Sequence, residues 1–107
     1  MTLDLAAARA LLYETVRAWD ADPTWSGQEA VARIAAAKHL ATSSAARVVD
    51  RALDAVGGAG YFKRLPLERM YRDVRAGPIH TFNPDDALEI LGKTALGISL
   101  DVEPRWG

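Results

Sequence analysis

Three glycines in four residues, Gly57-Gly58-Ala59-Gly60, close the longest uninterrupted helical pattern in the chain, and Pro66 and a densely charged segment follow within six residues. Glycine enters conformations that a Cβ forbids, so a helix running into this cluster must stop there. Upstream, Ser26 and Glu29 form a capping-box pattern three residues apart, which opens a helix predicted over Gly27 to Val56. At 1.5 Å per residue such a helix is roughly 45 Å long, longer than most globular helices, and it implies one side of an elongated bundle. Its apolar stripe is Val31, Ile34, Ala41, Ala45, Val48, Ala52 and Val56, and the alanines between residues 30 and 46 permit neighbouring helices to approach closely.

The rest of the chain repeats the helical period in shorter pieces. Leu5, Ala8, Leu12, Val16 and Trp19 recur at spacings of three and four, giving an amphipathic helix from Leu3 to about Trp19 that Asp22-Pro23 ends. Pro66 fits the first turn of a short helix, Leu67 to about Val74, in which Glu68 and Arg72 stand one turn apart and can pair. A loop runs through Asn83, which caps a last helix from Pro84 carrying Ala87, Leu88, Leu91, Ala95 and Ile98. The expected fold is all-α: an up-and-down helical bundle of three main helices plus one short helix. Residues 1–100 are expected to form this helical domain and residues 101–107 an irregular tail.

Charge and composition exclude several functions. Half the 107 residues are apolar and the formal net charge is −1, with the signs alternating along the chain, so no field attracts nucleic acid or anionic lipid. With no cysteine and two histidines far apart in sequence, neither a disulfide nor a metal centre is expected. The start of the chain does not read as a secretory signal and no apolar run reaches membrane-spanning length, so a cytoplasmic location is expected.

The order and spacing of Gly57, Gly58, Gly60, Tyr61, Pro66, Glu68, Arg69, Tyr71, Arg72, Asp73 and Arg75 resemble the C-terminal helical domain of the acyl-CoA dehydrogenase family. The likeness extends more weakly backward to Ala7–Tyr13 and to Ala35-Ala36-Ala37-Lys38, and in all it covers most of the chain, to about Leu100. It implies a part of an FAD-dependent oxidoreductase that desaturates acyl-CoA thioesters in fatty acid metabolism. In that family the Gly-Gly backbone lies against the FAD of a neighbouring subunit, a role that falls here on Gly57 and Gly58; bare backbone suits a close approach to pyrophosphate. The Arg69-to-Arg75 charges are read as holding the short helix against the bundle, and Tyr61, Phe62 and Tyr71 as packing residues.

Two positions depart from the family pattern. Asp54 stands where a flavin-contacting glutamine is usual, and a carboxylate repels pyrophosphate where an amide would donate to it. Thr81, in the segment His80-Thr81-Phe82-Asn83, stands where most family dehydrogenases carry the glutamate that abstracts the α-proton, and its hydroxyl has no useful pKa near neutrality. His80 opens an alternative, because flavin monooxygenases of the same fold place a histidine near this loop for the oxygen chemistry of the flavin. His39 is read as a surface residue.

The resemblance supplies no counterpart here for the family's N-terminal helical and middle β-domains, nor for the first helix of its C-terminal four-helix bundle. Expected consequences are an exposed apolar stripe, homo- or hetero-oligomerisation with other parts of a flavoenzyme, and no activity in this chain alone. A non-catalytic helical interaction module is the reading from outside the enzyme class.

Overall fold

The computed structural model describes residues 1–22 and 24–102. The fold is all-α: α1 (Thr2–Ala21), α2 (Gly27–Val56), a single 3-10 turn (Gly57–Tyr61), α3 (Leu67–Val74) and α4 (Pro84–Ala95), with no strand among the described residues. Expected and observed helices agree closely because each boundary carries its own chemistry. Asp22 takes the extended conformation expected before a proline, and the Asn83 side chain accepts hydrogen bonds from the backbone N–H groups of Asp85 (2.9 Å) and Asp86 (3.1 Å).

α2 is the central rod, in contact with α1, α3 and α4, while among the described elements α1 and α4 touch only α2. Cross-links fix the directions. Asp4 pairs with Arg47 (3.0 Å) and Arg51 (3.1 Å), and Glu14 with Arg33 (3.2 Å), so α1 runs antiparallel to α2. Lys38 meets Phe82, and Gln28 reaches Thr94 and Ile98, so α4 also runs antiparallel to α2. With Gly60 against Leu53 and Gly77 against Thr42, α3 descends α2 ahead of α4, as an interrupted third rod.

The core is small. Its buried apolar residues are Ala8, Ala30, Ala32, Ala35, Ala37, Val49 and Ala87, and the largest fully buried side chain is Ser44. Helices packed through alanine come close together but remove little apolar area from water. The radius of gyration, 16.7 Å, exceeds the value of about 13 Å expected for a compact chain of this length, as the extents of 48 × 37 × 19 Å require.

Several sequence expectations are corrected. Leu5, Leu12, Val16 and Trp19 were expected on the packing face of α1, but they are 42–54% exposed; α1 packs instead through Asp4, Ala8, Leu11, Thr15 and Ala18. Thr15 is tolerated inside because its hydroxyl donates to the Leu11 carbonyl at 2.8 Å. None of the expected α2 stripe is fully buried, since three elements cover the rod from different sides and the smallest residues lie deepest.

The capping box does not form: Gly27, at φ +85°, turns the chain away from the helix axis, the Ser26 hydroxyl caps nothing, and Glu29 instead approaches Arg33. α4 stops at Ala95, short of Ile98. Gly97 adopts φ +68°, and the N–H groups of Gly97 and Ile98 donate to the carbonyls of Thr94 and Lys93, a Schellman ending. His39 is half-buried, not a free surface residue. Of the expected irregular tail, Asp101 and Val102 lie in a turn and residues 103–107 fall outside the described residues, as does Pro23.

Candidate functional site

The glycine cluster works at two levels. Gly57 has φ +67° and ψ −152°, a region that is essentially glycine's alone, and its N–H donates to the Leu53 carbonyl at the end of α2. Gly60 is buried, where a Cβ would stand 2.8 Å from Leu53 Cδ2. Gly58 has neither constraint: its φ is not positive, and a Cβ there meets nothing within 4 Å. The open side of Gly57 and Gly58 is what an approaching molecule requires and what a buried helix stop would not leave.

Beside this turn lies an open concavity of about 840 Å³. Asp50, Asp54 and Glu68 supply its acids, Lys63 its cation, and Tyr61 and Tyr71 its rings. Tyr61 is 84% exposed, and Phe62 and Tyr71 are also exposed, so the expectation that these aromatics pack within the chain is corrected; Tyr61 and Phe62 meet each other edge to face at 6.1 Å. The charges of α3 are neutralised along its surface, Glu68 with Arg72 at 3.5 Å and Arg69 with Asp73 at 3.7 Å, as their spacing implied.

The second candidate region is the loop from Gly77 to Asn83. His80 and Thr81 are both exposed, and Thr81 borders a concavity of about 360 Å³ with Phe82, Asp86, Glu89 and Lys93. Phe82 holds φ +58°, rare for a residue with a side chain. The loop is tied to α2 by Lys38, whose ammonium donates to the carbonyls of Gly77 (2.6 Å), Phe82 (2.8 Å) and His80 (3.4 Å). In the sequence Lys38 appeared only as the end of an alanine run; a lone cation on an otherwise small, apolar helix segment was the available signal.

The two regions do not meet. Lys38 and Gly57 are nineteen residues apart on one straight helix and its cap, roughly 28 Å. Gly57 and Gly58 at one end and His80 and Thr81 at the other therefore form separate contact surfaces. Among the described residues, no group of three His, Asp or Glu side chains is placed to hold a metal ion, and no helix is long and apolar enough to cross a membrane.

A third surface is apolar. Leu12, Val16 and Trp19 of α1 face Ile34, Ala37 and Ala41 of α2 across a groove of about 430 Å³. Trp19 and Trp25 meet edge to face at 5.9 Å at its end.

The described residues thus form an α2-centred helical domain with an open glycine cap, a cation-anchored loop and an exposed apolar groove. The chain belongs to the acyl-CoA dehydrogenase family: residues 1–84 match the family model described as acyl-CoA dehydrogenase, C-terminal domain. It is 40% identical over 88 residues to the putative acyl-CoA dehydrogenase YdbM of Bacillus subtilis, covering 82% of this chain and 22% of that protein. It is 48% identical over 62 residues to the amino sugar nitrososynthase DnmZ of Streptomyces peucetius, covering 57% and 15%. With the mitochondrial short/branched chain specific acyl-CoA dehydrogenase of Bos taurus it shares 29% identity over 93 residues, covering 87% and 20%. The chain thus spans about a fifth of the length of these relatives. No solved structure gives a significant match.

Proposed function

We propose that this chain is the C-terminal domain of an FAD-dependent acyl-CoA dehydrogenase-like oxidoreductase, cytoplasmic, contributing flavin contacts and oligomer packing and inactive by itself. The observation that carries the reading is the open face of the turn: Gly58 is glycine with no intramolecular reason to be so, and the same turn borders, through Gly60 and Tyr61, a concavity large enough to admit part of a ligand. Gly57 and Gly58 would hold the FAD by close backbone approach, and Asp54, exposed and lining the neighbouring concavity, would keep the pyrophosphate from lying directly over it. FAD supplies a hydride acceptor when bound. The distance between the two candidate regions supports contact with two different flavin sites, the glycine end reaching a neighbouring subunit.

This chain's own residues bind and position more than they transfer protons. Thr81 offers a hydroxyl that can donate to or accept from a substrate oxygen but cannot remove an α-proton at neutral pH. The base for acyl-CoA dehydrogenation therefore lies in another part of the enzyme. The apolar groove between α1 and α2 would exclude water once covered by another helix, which supports a role in assembly.

A second reading, a flavin monooxygenase of the same fold using His80, is favoured by one combination: Thr81 at the usual glutamate position and 48% identity to a protein named as an amino sugar nitrososynthase. The exposed His80 imidazole can donate or accept a hydrogen bond to an oxygen species.

The deciding experiment is FAD titration, followed by flavin fluorescence, of the complete assembly containing this chain, with Gly58→Leu as the variant. Saturable binding lost in Gly58→Leu supports a flavoenzyme, and acyl-CoA against amine substrates then separates the two readings. An assembly that binds no FAD removes both, leaving a helical interaction module.

A further inference from the structure

We propose that Lys38 is the positioning residue of the 77–82 loop, fixing where His80 and Thr81 stand relative to α2. The functional weight of this assignment rests on the flavoenzyme reading; its geometry does not. One ammonium with three N–H donors meets three backbone carbonyls within six residues of the loop, at 2.6, 2.8 and 3.4 Å. Among the described residues no carboxylate lies within ion-pair distance of it, so its charge is turned wholly toward the loop.

The loop's backbone bonds are otherwise local: Gly77 N–H to Val74, and Ile79 and His80 N–H both to Ala76. These shape the turn without fixing it to the rod. Lys38 supplies that fixation, and it also explains how Phe82 keeps φ +58°. The Phe82 carbonyl is held from below by Lys38 while the next residue, Asn83, is locked by its own capping bonds to Asp85 and Asp86. A strained residue persists when its two neighbours' positions are set independently. Since α2 is the rod to which every other helix is referred, the ammonium transfers its position to His80 and Thr81.

Amide hydrogen exchange on the unliganded chain tests this with Lys38→Met, which keeps an unbranched stem one atom shorter and without donors, and Lys38→Arg, which restores charge and N–H groups. The expected result in Lys38→Met is exchange at Ile79 and His80 at least tenfold faster, with α1 unchanged, and recovery of most of that protection in Lys38→Arg. Unchanged loop exchange in Lys38→Met, or equal acceleration in every helix, would overturn the assignment. Should Lys38→Met not fold, the unaltered protein answers by nuclear magnetic resonance. A resolved, slowly exchanging 15N ammonium signal from Lys38 supports the anchor, and an averaged signal like those of exposed lysines overturns it. The readout needs no FAD, so failure of flavin binding in the complete assembly sinks the flavoenzyme reading without touching this result.

Discussion

Alanine at position 77 should destabilise this chain, although the identical exchange at position 58 should not. A Cβ on Gly77 would stand 2.7 Å from Thr42 Cβ and 2.9 Å from Thr42 Cγ2. Ordinary carbon contacts lie at about 3.5–4.0 Å, so the loop must lift from α2 by roughly an ångström. Thr42 cannot yield, being β-branched, with its hydroxyl hydrogen-bonded to the Lys38 carbonyl at 3.0 Å. Overpacking of this kind costs about 1–3 kcal/mol. The gain from a stiffer unfolded chain, about 0.4–1 kcal/mol, offsets only part of it. At about 4–5 °C per kcal/mol for a chain of this size, the net loss of about 0.6–2 kcal/mol should make Gly77→Ala melt about 2–10 °C lower. Gly58→Ala, with open space and no positive φ, keeps only the gain and should melt about 2–4 °C higher. Thermal unfolding by circular dichroism at one fixed protein concentration reads both. If Gly77→Ala melts at or above the parent, the close approach of loop and rod is wrong.

Four further outcomes follow from other surfaces. Gly58→Leu should leave stability within about 0.5 kcal/mol of the parent yet weaken FAD binding by the complete assembly at least tenfold; Gly57→Ala should lose about 1–3 kcal/mol from backbone strain alone, read by urea denaturation. Burying Leu12, Val16 and Trp19, each about half exposed, is worth roughly 2–4 kcal/mol together. The chain is therefore expected to self-associate or to take a partner chain, and Leu12→Lys with Trp19→Lys to shift sedimentation toward the monomer; a strictly monomeric, cooperatively folding parent would contradict this. The Arg47 hydrogen bond, followed by burial acting in opposition and then by the chain's amino group and the Arg51 charge, leaves the Asp4 carboxyl below its usual 3.8. A depressed folded pKa stabilises above 3.8 and loses that contribution as pH falls through the lowered value, so Asp4→Asn should be less stable than the parent at pH 6 and converge with it in acid.

Much of the candidate site was legible as residue types and little of it as geometry. Gly57 and Gly58 were identifiable from their place after a long helix, and the structure adds that they differ: Gly57 is required by its own backbone, whereas Gly58 is free of internal constraint. His80 and Thr81 were identifiable as a loop with unusual chemistry, but the lysine that anchors it lies 42 positions from His80 in sequence and belongs to another helix. No local pattern reports a bond of that range. Tyr61, Phe62 and Tyr71 misled because an aromatic side chain is buried in most settings, and whether a neighbour covers it is not a property of the residue.

The helices themselves were the sequence's own doing. Hydrophobic period, proline, glycine and the Asn83 cap act over a few residues, and such interactions are complete before any two helices meet. Which face of each helix turned inward was decided only by packing. α1 settles on Ala8 and Thr15 and leaves Leu5 exposed and Leu12, Val16 and Trp19 half-exposed along the rim of the groove with α2, because close approach to an alanine-rich rod favours the smallest residues at the contact. The same packing left the large side chains at the surface and brought Lys38 beneath the loop, two outcomes that depend on where distant segments come to rest.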